Sequence, residues 1–228
     1  MLAIGQELVL ALEECHEPDR AEQMLKTLEK SFLNLDEEFL CRWGRLFKDR
    51  GDEYTPLPWS SPGGRLPDPI LAEAFYRKSL AKYDQAYRIR FGHYPGINKA
   101  TLLLILGSLN AQQAGRALDS APANEVLESV ELAGTLLEKR AQWTRDQADD
   151  ETVWHPATAG EAHLLRREWE QAAAQYREAL QGKNLDHHAR ASMCRQAERI
   201  IAAFRNLNIA IPRPFDDTTV FFEIVPPS

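Results

Sequence analysis

Apolar side chains recur at helical spacing through most of the chain. Residues 1–15 place them at 1, 4, 8, 9 and 12, which predicts an amphipathic helix. Glu17-Pro18-Asp19 breaks it, because Pro18 cannot continue a helix and Asp19 can cap the next one. A second helix over 20–32 carries Ala21, Met24, Leu25, Leu28 and Phe32 on one face. A third, Glu37 to Arg50, sets Gly44 among Leu40, Trp43 and Phe47, and Gly51-Asp52 is expected to end it. The next runs from about Pro69 to Arg90, with Tyr76, Leu80, Tyr83, Ala86 and Tyr87 as its buried stripe. Residues 91–98 read as a turn before a helix over 97–109. That helix is apolar nearly all round, so it should be covered on several sides. Four more helices follow, over 122–143, 153–166, 168–181 and 184–206.

Two stretches leave this pattern. Residues 55–69 hold five prolines and two glycines, which forbid regular structure and predict an inserted loop. Its Trp59 either docks a partner or folds back on the body. Residues 212–228 form a tail in which Thr218 to Val225 is β-branched and aromatic. That composition predicts a strand or extended arm. A single strand must pair elsewhere, cover the end of the helical stack, or begin a further domain.

The two helices 153–166 and 168–181 organise the rest. Gly160 and Ala162 lie on the first, and Ala172, Tyr176 and Ala179 on the second, opened by Trp169. Small residues where helices cross let the axes approach, and aromatics fill the space beside them. This order of glycine, alanine and aromatic positions resembles the tetratricopeptide repeat. Gly44 sits in its own helix as Gly160 does, so the two read as equivalent halves of a repeated unit. The expected fold is all-α, with about nine helices over 1–211 stacked as a right-handed tetratricopeptide-like solenoid.

Composition narrows the function. The 228 residues carry a formal charge of −7, against a general nucleic-acid binder, which needs a basic surface to displace counterions. Cys15, Cys41 and Cys194 are far apart, so a disulfide framework is not expected and a reducing, cytoplasmic setting is. The most apolar run, Leu102 to Leu106, is far too short to span a bilayer.

Catalytic and metal chemistry finds little support. His187 and His188 are neighbours that point about 100° apart on a helix and lack further ligands at metal spacing. Glu161 and His163 are two residues apart and fall on different faces. Cys41 reads as a small buried apolar residue. Gly63-Gly64 lacks the lysine of a phosphate loop, and Asp149-Asp150-Glu151 lacks the alternation of a calcium loop. No hydrolase motif occurs. The reading is a non-enzyme with no catalytic residue, cofactor or metal.

A binding groove is the better expectation, because inner helices of such repeats line a concave surface that holds peptides. By repeat register Arg45, Lys48, Asn98 and Glu161 face that groove. Arg45 and Lys48 are one turn apart and can meet one acidic group, or pair with Asp49 and Glu38 instead. The expected partner is a protein or peptide, without nucleic acid or membrane.

Three segments carry a finer resemblance: Trp43 to Arg50, Ala74 to Ser79, and Tyr94 to Leu103. In this order they are similar to the tetratricopeptide-like TRAFs-binding domain, and the likeness extends through Trp154–Leu180. That domain forms the central regulatory region of the apoptosis signal-regulating kinases and occurs in bacterial proteins. There a pleckstrin-homology-like domain follows the solenoid, and the tail here would correspond to its beginning. The resemblance implies a regulatory scaffold in bacterial signalling or defence. The alternative is a sensory or substrate-recruiting domain of an effector enzyme encoded elsewhere. The chain lacks kinase motifs, and its 55–69 insert departs from the family pattern, so the kinases' partners do not transfer.

Overall fold

Helices packed in pairs make up the described residues. The computed structural model describes residues 2–15, 17–32, 35–55, 66–113, 121–143, 154–182, 185 and 187–222. Every long element among them is an α-helix, and none is a strand. They are α1 (Leu2–Glu14), α2 (Pro18–Ser31), α3 (Glu37–Tyr54), α4 (Pro69–Arg90), α5 (His93–Gln113), α6 (Ala121–Trp143), α7 (Trp154–Leu165), α8 (Trp169–Leu180) and α9 (His187–Asn206). The chain divides into two compact units, with the division inside α5 between Pro95 and Gly96. The all-α fold with tetratricopeptide-like hairpins is therefore as expected. Most of the predicted insert, including Trp59, lies outside the described residues, as do Asp149–Glu151 and the tail beyond Phe222.

In the first unit, α1 pairs with α2 and α3 with α4. Its core joins Val9, Ala21, Leu25, Leu28, Phe39, Trp43 and Leu46. Glycine sets how closely the helices approach. A Cβ at Gly44 would lie 2.7 Å from Tyr83, and one at Gly51 would lie 2.6 Å from Tyr76. The two glycines are seven residues apart on α3 and the two tyrosines seven apart on α4, running the other way. Antiparallel helices two turns along demand that correspondence. Ser79 Oγ donates to the Gly44 carbonyl at 2.6 Å, a bond that a larger residue at 44 would force apart.

Three boundaries differ from expectation. α3 does not end at Gly51 but runs on to Tyr54. Gly51 is needed for the approach of Tyr76 rather than for a left-handed cap. Pro18 opens α2, where the missing N–H costs nothing, and Glu17 stands at the cap position. α5 begins at His93, so the turn before it shrinks to Phe91 and Gly92, with Phe91 itself left-handed at φ 54°.

In the second unit, Gly160 and Ala172 point inward. A Cβ at Gly160 would meet the Tyr176 ring at 3.1 Å, and Ala172, Tyr176 and Ala179 are fully buried. Leu102 to Leu106 on α5 are buried as their all-round apolarity predicts. Arg167 takes φ 62° to turn the chain between α7 and α8.

The tail corrects the strand expectation. Thr218–Phe221 is a 3-10 turn capped by Asp217, whose carboxylate accepts from Thr219 N at 2.9 Å. Phe215, Phe221 and Phe222 are buried. Phe221 and Phe222 sit 5.8 and 5.0 Å from the Tyr176 ring centre, and Phe215 stacks at 6.3 Å on Trp169. β-branched and aromatic residues suit any apolar surface. Here the rings find theirs on α8 and α9, and no ladder partner is required.

Candidate functional site

The expected groove residues fall among charged and aromatic side chains in both units, and each unit is described by itself. In the first unit the cluster forms where α1, α3 and α4 meet the start of α5. Arg45 projects from α3 with 36% of its side chain exposed. Its Nε lies 3.5 Å from Glu13 of α1 and 3.8 Å from Asp49 one turn on. Burial works against the guanidinium charge, but Asp49 and Glu13 outweigh it and raise the pKa further. Lys48 is 6% exposed, with its Nζ 5.8 Å from the centre of the Tyr83 ring. Tyr83 meets Tyr94 edge to face at 6.1 Å. Burial pushes the Tyr94 hydroxyl up to about 12, with the nearby Cys41 adding to the effect. It pushes that of Tyr83 well up too, with Tyr94 as the next cause.

Arg45 and Lys48 thus take different partners, Arg45 the carboxylates of Glu13 and Asp49 and Lys48 the Tyr83 ring, and of the two only Arg45 is open. Of the other expected groove residues, Asn98 is 3% exposed on α5 and Glu161 7% exposed on α7. These three side chains sit within helix packing. Cys41 is buried as well, and its thiol is pushed far up by burial and by Glu38.

In the second unit Glu161 belongs to a buried polar chain. Arg199 Nη1 donates to Gln196 Oε1 at 2.5 Å, and Gln196 Nε2 donates to Glu161 Oε2 at 3.3 Å. A cation on α9 is thereby linked to a carboxylate on α7. The Tyr176 hydroxyl is buried and has no hydrogen-bond partner among the described residues. Burial, then the Glu161 charge, raises its pKa well above the usual phenol range. The sequence reading missed Gln196 and Arg199. Their spacing of three beside Met193, Ala197 and Ile200 was a usable signal, since it puts two polar groups on an apolar stripe.

The α7–α8 turn holds a third ionic group. Glu168 accepts from Arg166 Nε at 2.8 Å and lies 2.6 Å from His163 Nδ1. His163 therefore serves the turn, one helix face away from Glu161. His187 and His188 are exposed at the start of α9. Among the described residues no three His, Cys, Asp or Glu side chains converge as a metal site. None of the described helices is long and apolar enough to cross a membrane.

What such an arrangement can do chemically is recognise charge. A guanidinium with a third of its side chain open, held between two carboxylates, can exchange one of them for a carboxylate of a bound molecule. The adjacent tyrosine rings offer apolar contact beside it.

The family described as Tetratricopeptide Repeats-Sensor (TPR-S) matches residues 2–103. The match spans the whole of the first unit and the start of the second, less than half of the chain. It supports a tetratricopeptide-like domain there, and repeats of this type point to a protein-interaction or sensor module. No curated protein and no solved structure matches the chain.

Proposed function

We propose that the chain is a non-catalytic interaction module that regulates a partner, with Arg45 as its contact for an acidic group. One observation carries this reading. Of the four residues expected in the groove, Arg45 alone keeps a third of its side chain open, and it does so near Tyr83 and Tyr94. The helical hairpins hold that guanidinium at a fixed place, because Gly44 next to it locks α3 against α4. The partner's matching group is a carboxylate on a peptide or protein surface. A role as a regulatory adaptor in bacterial signalling or defence is supported by the likeness of 43–50, 74–79 and 94–103 to the TRAFs-binding domain.

A sensor reading stands second. The description of the matching family names a sensor, and the buried Arg199–Gln196–Glu161 chain offers a polar interior that a ligand could reorganise.

The test is quantitative capture of partners from the native host. Arg45→Glu should lower recovery of an Arg45-dependent partner at least tenfold while the thermal melt stays within a few degrees of wild type. Equal recovery by both proteins removes the reading. Lys48→Glu is unsuitable as the companion variant. It would press a carboxylate against the Tyr83 ring and test folding instead.

A further inference from the structure

The rotation of α1 about its own axis is fixed at four points. A Cβ at Gly5 would lie 2.6 Å from Leu28, so α1 crosses α2 at glycine distance. Gln6 Nε2 donates to Asp36 Oδ1 at 2.9 Å. Val9 is fully buried in the core, and Glu13 faces Arg45. The outward face is set by these inward contacts. Ile4 is 74% exposed on it and Leu8 45% exposed. Ala11 is exposed too, and so is Cys15 just past the helix end. Their spacing of four, three and four residues is that of a coiled-coil seam, in which apolar positions keep to one line along the helix. Glu7 is the exposed charge beside this seam, and no lysine or arginine occurs within Leu2–Glu14.

We propose that this outer seam of α1 docks a partner's amphipathic helix whose apolar stripe is flanked by lysine or arginine. Helix-on-helix docking matches the seam's straight geometry. The sign of the flanks follows from Glu7 and from the absence of basic side chains on α1. A second copy of this chain fits worse. It would set one acidic helix against another, where like charges at neighbouring positions repel. The inference rests on the interaction-module reading only in that a protein is bound. It uses a face other than that of Arg45.

The full-length chain is titrated with two synthetic helical peptides of about three heptads, both with leucine at the seam positions. One carries lysine at the flanking positions and the other glutamate. The lysine peptide should bind, with at least tenfold weaker binding by the glutamate peptide. Ile4→Asp and Leu8→Asp should each weaken lysine-peptide binding at least tenfold. Both positions face water, so the melting curve should not move. Arg45→Glu should leave peptide binding unchanged. Equal binding of the two peptides, binding of neither, or binding that survives both aspartate variants overturns the proposal. So does concentration-dependent self-association in sedimentation that Leu8→Asp abolishes, which would assign the seam to a second copy. None of these outcomes alters the Arg45 capture result, so the two readings fail separately.

Discussion

Gly44 and Gly51 show how much of this fold turns on the absence of a single carbon. At each, a Cβ would come within 2.7 Å of a tyrosine ring, a rigid plane. Tyr83 and Tyr76 are fully buried and have no free volume to retreat into. Gly44→Ala and Gly51→Ala should therefore each cost about 1–3 kcal/mol by overpacking, despite alanine's better helix propensity. Gly160 differs in degree. Its Cβ would meet Tyr176 at 3.1 Å, a distance that a shift of a few tenths of an ångström relieves. Gly160→Ala should be milder than either. Chemical denaturation of the three variants checks the order, and Gly160→Ala proving the most damaging would refute it.

Two elements carry energetics that residue types alone do not predict. The α7–α8 turn depends on Glu168. Burial alone would raise its pKa, but hydrogen bonds to His163 and Arg166 prevail and lower it. A carboxyl lowered in the folded state contributes stability above its unfolded pKa of about 4.3. That contribution is lost as pH falls through the lower folded value. Glu168→Gln should flatten this acid limb; denaturation midpoints across the acid range measure it, and a curve parallel to wild type would mean the turn carries no such linkage. The C-terminal segment is the second element. Phe221 is fully buried between Phe215 and Tyr176. Phe221→Ala should cost about 3–5 kcal/mol, as a buried core aromatic does. A cost below about 1 kcal/mol would mean that the segment merely rests on α8.

At the scale of the whole chain, what the sequence disclosed and what it hid have physical reasons. Helix positions and the Gly160–Ala172–Tyr176 crossing were legible, because apolar periodicity and small residues act locally. Gly51 was misread as a helix end because its reason lies on another helix, at Tyr76. The tail was misread because propensity cannot say whether phenylalanines face a strand or α8. Of the residues expected in a groove, register put Arg45 and Lys48 on one turn but could not tell exposure, which depends on what α1 and α4 place around them. The cysteines read out this burial across the chain. Cys15 is exposed, Cys194 partly covered and Cys41 buried on α3. Burial, with Glu38 next, holds the Cys41 thiol far from its reactive thiolate, and burial likewise raises that of Cys194. In native protein near pH 8, a thiol reagent should modify Cys15 first, Cys194 more slowly, and Cys41 only through opening of α3. Gly51→Ala, which strains the contact of α3 with α4, should speed Cys41 modification about tenfold for each 1.4 kcal/mol it costs, leaving Cys15 at its wild-type rate. Mass spectrometry of the labelled peptides separates the three sites. Cys41 reacting as fast as Cys15 in the native chain would refute the packing of α3 on which the Arg45 surface stands.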